Sequence, residues 1–451
     1  MMNIRTLKLT NLGRFEELDV HLAPVEEFKS NVTVFIGNNG AGKTSILKSL
    51  ATSLSWFVAR VRTEKGNGSP IPEDAILNGR SSATIELQVL NTHPATEAAT
   101  PYRWLLARTA SGKKSTTASS LQEASQLAAF YRDQYTQNSG ASFPLIAFYP
   151  VERVVLDVPL KIKERHNFLQ LDGYDNALNQ GIDFRRFFEW FRNREDAENE
   201  SGLPQDVLDK LSTRIDLDNA VLNALTAIMA SSRDRQLTAV RTAISRFMPG
   251  FSNLRVRRKP RLHMSIDKNG QTLNVLQLSQ GEKSLMALVG DIARRLAMMN
   301  PMLENPLNGE GIVLIDEVDM HLHPTWQRTI IQRLTTTFPH CQFVLTTHSP
   351  LVISDCKDVL VYSLDDGELT QLRLYGQDAN TVLLNVMDTD IRNATVAEKL
   401  NDLLDLIQKN DFINANALLN TLSLELPENH LELVKARMLL RKQEIKHARN
   451  N

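Results

Sequence analysis

Eight consecutive residues near the start of the chain have the order of a phosphate-binding loop. They are Gly37-Asn38-Asn39-Gly40-Ala41-Gly42-Lys43-Thr44, followed by Ser45, and they fit the pattern G-x-x-x-x-G-K-[ST] at every required position. Its glycines let backbone N–H groups turn inward around phosphate oxygens, and the N-terminus of a following helix adds partial positive charge. Lys43 is predicted to reach the β- and γ-phosphates of a nucleotide, and Thr44 to offer its hydroxyl to Mg²⁺. The alternative is a glycine-rich turn with a solvated lysine.

Two carboxylates, Asp316 and Glu317, directly follow the apolar run Ile312-Val313-Leu314-Ile315. Open α/β sheets place their ligands at the carboxyl ends of such buried strands. Asp316 can hold Mg²⁺ through water, and Glu317 can orient or deprotonate the water that attacks the γ-phosphate. A buried strand that ends in two acids is common, so this pair indicates a nucleotide site only in combination with the phosphate loop.

Two further segments could contact a triphosphate. Leu278-Ser279-Gln280-Gly281-Glu282 opens a predicted helix, where a serine and a glycine form an anion site. His348 comes just past a buried strand, in Thr346-Thr347-His348-Ser349-Pro350, where it could hydrogen-bond the γ-phosphate and sense its presence. An ordinary serine N-cap and a structural histidine are the alternatives. The order and spacing of the four segments favour the nucleotide interpretation.

Hydrophobic periodicity predicts the elements that must position these residues. Residues 32–36 are a short, apolar, β-branched run typical of a buried strand, and 312–316 and 342–346 are two more. From about 165 to 248, and again after Gly376, apolar residues recur at helical spacing. The chain is therefore predicted to have an α/β fold, with a mixed-sheet core, a helical insertion and a helical C-terminal region.

The composition limits the class of protein. The 451 residues are 42% hydrophobic and 23% charged, with a formal net charge of −1, which is ordinary for a soluble globular protein and gives no overall attraction to nucleic acid. The only cysteines, Cys341 and Cys356, exclude a disulfide framework and a thiolate zinc site. No signal peptide or membrane-length apolar run is present, so a cytoplasmic protein without membrane contact is expected.

The four motifs, in this order, resemble the ABC-type ATPase heads of the RecF, SMC and OLD-like ATPases. Met320-His321-Leu322-His323-Pro324, directly after the two acids, is similar to the D-E-x-x-x-H-L-H-P segment of that branch, and Asn11-Leu12-Gly13-Arg14-Phe15 is similar to the start of RecF-type heads. The resemblance implies a P-loop NTPase that binds ATP and Mg²⁺ in a head-to-tail homodimer. Ser279 and Gly281 would then touch the γ-phosphate in trans, and Arg14 is a candidate for adenine or phosphate contact.

On this resemblance the chain divides into four regions. They are ATPase lobe I with the phosphate loop (1–155), the helical insertion (156–250), ATPase lobe II with the other motifs (251–376), and a helical region that docks a partner (377–451). The predicted catalytic residues are Lys43, Glu317 and His348, and the predicted metal ligands are Thr44 and Asp316.

Two other segments, Tyr149-Pro150-Val151-Glu152-Arg153 and Phe184 to Glu195, resemble parts of the ATPases of bacterial anti-phage systems, in particular the Septu ATPase PtuA and its retron-associated relatives. In that family the ATPase carries no nuclease and associates with a small HNH nuclease subunit. The resemblance implies a slow, regulatory ATPase that controls a nuclease acting on DNA, reaches DNA through the complex, and assembles as a dimer or a higher homo-oligomer. The phenylalanines of 184–191 also fit plain helix packing.

Two other functions stay open from the sequence alone. One is a RecF-like DNA-repair ATPase that binds DNA directly through the basic run Arg255-Val256-Arg257-Arg258-Lys259-Pro260-Arg261, for which a solvated face is the plainer interpretation. The other is a binding module that holds ATP without turnover. A metal pair at His321 and His323 is rejected because both match the branch motif. A fused Toprim nuclease at Asp388-Thr389-Asp390 is rejected because too few residues follow it.

Overall fold

The computed structural model of the protein describes residues 1–92, 98–114, 117–151, 168–179, 181–201, 233–385, 393–427 and 429–450. Its strands are β1 (Met2–Leu12), β2 (Phe15–His21), β3 (Val32–Gly37), β4 (Ser82–Thr92), β5 (Ala99–Thr109), β6 (Leu145–Tyr149), β7 (Phe251–Arg257), β8 (His263–Lys268), β9 (Gln271–Asn274), β10 (Gly311–Ile315), β11 (Cys341–Thr346), β12 (Leu360–Asp365) and β13 (Glu368–Leu372). Its α-helices are α1 (Lys43–Arg62), α2 (Gln122–Gln137), α3 (Phe184–Ser201), α4 (Arg235–Phe247), α5 (Gln280–Met299), α6 (Pro324–Gln327), α7 (Ile330–Thr337), α8 (Pro350–Ser354), α9 (Ala379–Asn385), α10 (Ala394–Gln408), α11 (Phe412–Glu425) and α12 (Leu431–Asn450).

One six-stranded sheet carries the loops that hold most of the predicted site. Its strand order is β13-β12-β3-β11-β10-β6, and all pairings are parallel except that of β13 with β12. Strands β3, β6, β10 and β11 are buried along their whole length, because apolar, β-branched sequences suit strands that are covered on both faces. The loops after β3, β10 and β11 therefore leave the sheet at the same edge.

This sheet joins segments that are far apart in the sequence. Strand β3 lies between β11 and β12, and β6 pairs with β10 in a register that sets Tyr149 opposite Ile315. Strands β3 and β6 precede the predicted helical insertion, whereas β10, β11 and β12 follow it. The two predicted ATPase lobes therefore contribute strands to a single core. Residues 156–167 and 202–232 of the predicted insertion lie outside the described residues.

Two antiparallel sheets complete the described strands. The first has the order β2-β1-β4-β5 and the second the order β7-β8-β9. In β4 every second residue is buried, as expected of a strand with one face on the core. The turn between β1 and β2 contains Asn11 and Gly13, with φ angles of 52° and 63°, and it brings Arg14 to the tip of the hairpin.

Helices cover the sheets, and one of them was missed by the sequence analysis. The buried residues of α2, Ala124, Leu127, Ala128 and Tyr131, follow helical spacing, but the glutamines around them conceal this short apolar stripe. The phenylalanines at 184, 187, 188 and 191 are buried in α3, so their role in the described structure is helix packing.

Residues Asp378–Asn451 form a compact unit distinct from Met1–Gln377. Helices α10, α11 and α12 surround a small core made of Leu400, Leu403, Ile407, Ala415, Leu419, Leu422, Leu433, Ala436 and Leu440. Lys399 pairs with Glu425 at 2.7 Å, and the Asn416 amide donates to Glu444 at 3.0 Å. Across the described ranges, no helix combines the length and the apolar character needed to cross a bilayer.

The middle of α5 carries a buried ionic cluster. The Asp291 carboxylate accepts hydrogen bonds from Arg294 Nη2 and Arg295 Nε, both at 2.6 Å, and from the Tyr149 hydroxyl at 3.0 Å. All four side chains are nearly or fully buried. Burial alone would raise the pKa of Asp291, but the two arginines hold it below its usual value. Because the Tyr149 carbonyl also accepts the Asp316 N–H at 2.9 Å, the cluster ties α5 to the strand edge beside the predicted site.

Removing the carboxylate of this cluster is expected to destabilise the protein strongly. Asp291→Ala leaves two buried guanidinium groups without their counter-charge, which costs roughly 3–5 kcal/mol. The measurement is the midpoint of denaturant unfolding, followed by circular dichroism. Asp355→Ala is the matched control, because it breaks an exposed pair with Arg328 at 2.9 Å that is worth less than about 1 kcal/mol. Equal midpoints for the two variants would contradict this account of the cluster.

Candidate functional site

The predicted phosphate loop connects β3 to α1 at the edge of the six-stranded sheet. Asn38, Asn39 and Gly40 are exposed, whereas Ala41 is buried and Thr44 and Ser45 are half-buried. Gly42 is the N-cap of α1 and has a φ of 108°, in the left-handed region that favours glycine. A Cβ at this position would lie closer than 3.0 Å to the ring of Phe15. The loop therefore needs a glycine between the β1–β2 hairpin and the helix.

Lys43 is buried at the start of α1, and its ammonium group faces the loop. Its Nζ donates hydrogen bonds to the carbonyl oxygens of Gly37 at 2.7 Å and Asn38 at 3.0 Å. Burial lowers the pKa of Lys43, and the carboxylates of Glu317 and Asp316 act in the opposite direction. A phosphate oxygen is a stronger partner for this ammonium than a neutral carbonyl oxygen, because both members of the pair are then charged.

Asp316 lies at the centre of the site and is almost fully buried. The Thr44 hydroxyl donates to its Oδ2 at 2.8 Å, and the Thr346 hydroxyl donates to its Oδ1 at 2.6 Å. The Thr346 hydroxyl also accepts the N–H of Glu317 at 2.7 Å. One oxygen of the carboxylate is thereby held by the phosphate loop and the other by the end of β11. A threonine hydroxyl beside a carboxylate is the kind of oxygen ligand set that Mg²⁺ takes, so these residues fit the predicted metal.

Glu317 and His348 form the outer part of the site. Glu317 has a φ of 46°, and its Oε1 lies 3.9 Å from His348 Nε2, with about a third of each side chain exposed. Burial lowers the pKa of His348, and the charge of Lys43 lowers it further, while Glu317, Asp319 and Asp316 raise it. The lowered pKa favours the neutral imidazole, in which one ring nitrogen can still donate a hydrogen bond.

Arg14 lies beside the phosphate loop, although it is distant from it in the sequence. A Cβ built on Gly42 would lie 3.4 Å from Arg14 Cδ, and the arginine itself is exposed. The β1–β2 hairpin therefore places a guanidinium group next to the N-terminus of α1. The structure brings Arg14, Lys43, Thr44, Asp316, Glu317 and His348 into one region.

Ser279 and Gly281 belong to a different group of contacts. The Ser279 hydroxyl accepts the Glu282 N–H at 3.4 Å, and Glu282 accepts the Ser279 N–H at 3.0 Å, which is a capping box at the start of α5. Lys268 pairs with Glu282 at 2.7 Å. The plain N-cap alternative is therefore realised within the chain, in a turn where Ser279 is exposed and Gly281 is half-buried.

Three residues of this region, Thr346, Thr347 and Gln327, were not assigned by the sequence analysis. Thr346 holds Asp316 and Glu317 in place, and the Thr347 hydroxyl donates to Asp319. Gln327 contacts the segment that contains His348, because it accepts from Ser349 at 2.8 Å. The paired threonines before His348 were visible in the sequence. Their hydrogen-bond partners could not be predicted, because these depend on how the parallel strands pair across the sheet.

The basic run on β7 is accompanied by acids. Arg257, Arg258 and Lys259 are exposed, but Arg258 forms an ion pair with Asp196, and Glu195 accepts the Val256 N–H at 2.7 Å. These carboxylates reduce the positive potential that a DNA backbone would meet. The alternative of direct DNA binding therefore gains no support from the described structure.

The structure bears only in part on the remaining motifs singled out in the sequence. Glu152 and Arg153 of the anti-phage ATPase segment, and the acids at 388 and 390, lie outside the described residues. His321 and His323 are exposed on the loop after the two acids. Among the described residues, no three histidine, cysteine or acidic side chains gather to hold a metal ion.

Two family models match the chain. One is described as "AAA domain, putative AbiEii toxin, Type IV TA system" and matches residues 150–354. The other is described as "AAA domain" and matches residues 6–218. Together they take in the phosphate loop, both acids and His348.

The head of the Smc protein from Pyrococcus furiosus, bound to the C-terminal domain of ScpA, aligns with 83% of this chain and 97% of its own, at 14% identity and a TM-score of 0.45. RecF with ATP, from the RecFOR pathway, aligns with 82% of this chain and 99% of its own, at 15% identity and a TM-score of 0.39. A Septu protein PtuA from Bacillus mycoides is 42% identical over 95 residues, which is 21% of this chain and 12% of that protein.

Longer matches come from two retron proteins. "Retron Vc95 probable ATPase" of Vibrio cholerae is 33% identical over 380 residues, covering 78% of this chain and 73% of that protein. "Retron Ec83 probable ATPase" of Escherichia coli is 34% identical over 400 residues, covering 79% of this chain and 72% of that protein. The predicted resemblance and the predicted α/β fold class are both confirmed. The chain belongs to the retron-associated ATPase family.

Proposed function

We propose that this chain is an ATP-hydrolysing switch subunit of a bacterial anti-phage defence complex. The observation that carries the proposal is the Asp316 carboxylate, which accepts from Thr44 on the phosphate loop and from Thr346 beside His348. One buried side chain thus joins the three segments that a triphosphate site requires. The names of the retron and Septu relatives support the defence role.

Each residue of the site has a distinct role in the proposal. Lys43 and the loop N–H groups bind the phosphates, and Thr44 and Asp316 would hold Mg²⁺, which when bound neutralises charge on the β- and γ-phosphates. Glu317 accepts a proton from the attacking water or orients it. His348 donates a hydrogen bond from its neutral ring to the γ-phosphate, and Arg14 contacts the adenine or a phosphate.

The second half of the site comes from another copy of the chain. Ser279 is exposed and Gly281 half-buried in the turn at the N-terminus of the 20-residue helix α5, where backbone N–H groups and the helix dipole favour an anion. In a head-to-tail homodimer this turn covers the γ-phosphate held by Lys43 of the partner copy. Two ATP molecules are then enclosed, and hydrolysis opens the dimer slowly enough for the enclosed state to act as a signal.

The output of the switch is a separate HNH-type nuclease that acts on DNA. The unit Asp378–Asn451 is the proposed docking region. On α12 an apolar stripe of Leu431, Met438 and Ile445 is 64%, 69% and 50% exposed, and its spacing of seven residues keeps it on one face of the helix. Such a stripe suits packing against another chain. DNA is reached through this complex, and the protein works in the cytoplasm.

The first test removes the proposed general base. Glu317→Gln keeps the size of the side chain but cannot accept a proton, so ATP hydrolysis should fall by about 100-fold or more, while an ATP-bound dimer accumulates. Phosphate release and size-exclusion chromatography with ATP are the measurements. Glu304→Gln, an exposed acid away from the site, is the control with unchanged turnover. An unchanged rate in Glu317→Gln would instead favour a module that binds ATP without turnover.

The second test asks whether the site is shared between copies. Lys43→Ala and Ser279→Arg should each be inactive alone, because each removes one half of both sites. Mixing them in equal amounts should restore about a quarter of the wild-type rate, since half of the random dimers are mixed and each has one intact site. Lys43→Ala mixed with the Lys43→Ala, Ser279→Arg double variant is the control. No recovery in the first mixture would contradict the trans contact.

The third test concerns the docking region. Met438→Glu places a charge in the middle of the apolar stripe and should abolish co-purification with the HNH nuclease subunit produced alongside it, without loss of ATP hydrolysis. Met438→Leu keeps the surface apolar and should retain the partner. If Met438→Glu still co-purifies with the nuclease at wild-type yield, the docking surface lies elsewhere.

A further inference from the structure

Gln327, at the end of α6, bridges two segments of the candidate site. Its Oε1 accepts a hydrogen bond from the Ser349 hydroxyl at 2.8 Å, and its Nε2 donates to the Leu322 carbonyl at 3.0 Å. Ser349 directly follows His348, the proposed γ-phosphate sensor. Leu322 lies in the loop that follows the two acids, between His321 and His323. One half-buried amide therefore uses both ends of its side chain to join the sensor segment to this loop.

A second link joins the same two segments on the other side of His348. The Thr347 hydroxyl donates to Asp319 and accepts the Ser349 N–H, the latter at 3.0 Å. The Val318 N–H donates to the Thr346 carbonyl at 2.9 Å. The residues on either side of His348 are thus both hydrogen-bonded to the stretch 318–327. A displacement of the backbone at His348 would act on this stretch through these hydrogen bonds.

The same loop also packs against the signature turn, Ser279-Gln280-Gly281, at the start of α5. His321 has a φ of 63°, which turns its carbonyl toward Gly281, and a Cβ on Gly281 would lie closer than 3.0 Å to that oxygen. Gly281 is therefore required for close packing within the chain as well as for approach to a phosphate. Since Ser279 caps the same turn, the path from His348 to Ser279 consists of direct contacts.

We propose that Gln327 is a positioning residue that couples the γ-phosphate sensor of each copy to its own signature turn. The inference rests on the proposed function, because the signature turn reads a phosphate only in the head-to-tail dimer. There, His348 senses the ATP of its own copy and Ser279 contacts the ATP bound by the partner. A rigid link between them within one chain makes the two ATP sites interdependent, so ATP should bind cooperatively.

The test measures ATP binding without hydrolysis. In the Glu317→Gln background the isotherm should be sigmoidal, with the second ATP favoured by about fivefold or more, the usual range of coupling between sites. Adding Gln327→Ala should make the isotherm hyperbolic and leave the affinity of the first ATP unchanged. Arg328→Ala in the same background is the matched control, because this neighbouring side chain is exposed and pairs with Asp355 at 2.9 Å. It should keep the sigmoidal shape.

A second variant approaches the same contact from its other side. Ser349→Ala removes the donor to Gln327, and it should also abolish cooperativity. The Gln327→Ala, Ser349→Ala double variant should be no worse than either single change, because the two residues act as a unit. Should Gln327→Ala fail to fold, by thermal melting, the isotherm of Ser349→Ala decides.

Two results would overturn the coupling role. They are a sigmoidal isotherm in both single variants, and a weakened first ATP, which would indicate a merely local structural role. Failure of the proposed function is seen separately: Glu317→Gln alone then forms no dimer with ATP. A dimer that forms but binds ATP without cooperativity refutes the coupling and leaves the shared site standing.

Discussion

The carboxylate of Asp316 is the contact on which the candidate site depends. It is buried at the end of β10 and holds Thr44 at 2.8 Å and Thr346 at 2.6 Å. These three residues come from strands or loops far apart in the sequence, and only the parallel order of β3, β11 and β10 brings them together. A buried carboxylate needs such partners, since an unpaired one would be costly. The same hydrogen bonds that satisfy it also hold the phosphate-loop sequence and the segment before His348 beside it.

The elements behind the candidate site are joined to it by direct contacts through helix α5. The Tyr149 carbonyl holds the N–H of Asp316, and its hydroxyl holds Asp291 inside α5. At its first turn the same helix packs against the His321 carbonyl. Helix α5 therefore contacts the edge of the sheet that carries the candidate site at its middle and the loop after the acids at its start. A rigid helix fixed at both places suits a proposed switch better than a flexible connection does.

Local patterns in the sequence were sufficient to single out residues 37–44, the acid pair and His348, which the structure brings together, because each motif is short. The buried strands were also predictable from their apolar, β-branched runs. Helix α2 was missed because polar residues surround its stripe. The Thr346 contacts, the Gln327 bridge and the approach of His321 to Gly281 could not be predicted, since strand register and loop geometry set them. Ser279 as part of a shared site came from the family resemblance and not from any pattern within this chain.

The central claim is that two copies of the chain complete each other's ATP site. The most direct test is a cryo-EM structure of the Glu317→Gln protein with ATP and Mg²⁺. The account predicts a dimer in which Ser279 of one copy lies within hydrogen-bonding distance of the γ-phosphate held by Lys43 of the other. A structure with ATP bound at Lys43 and with Ser279 of every neighbouring copy remote from it would contradict the account.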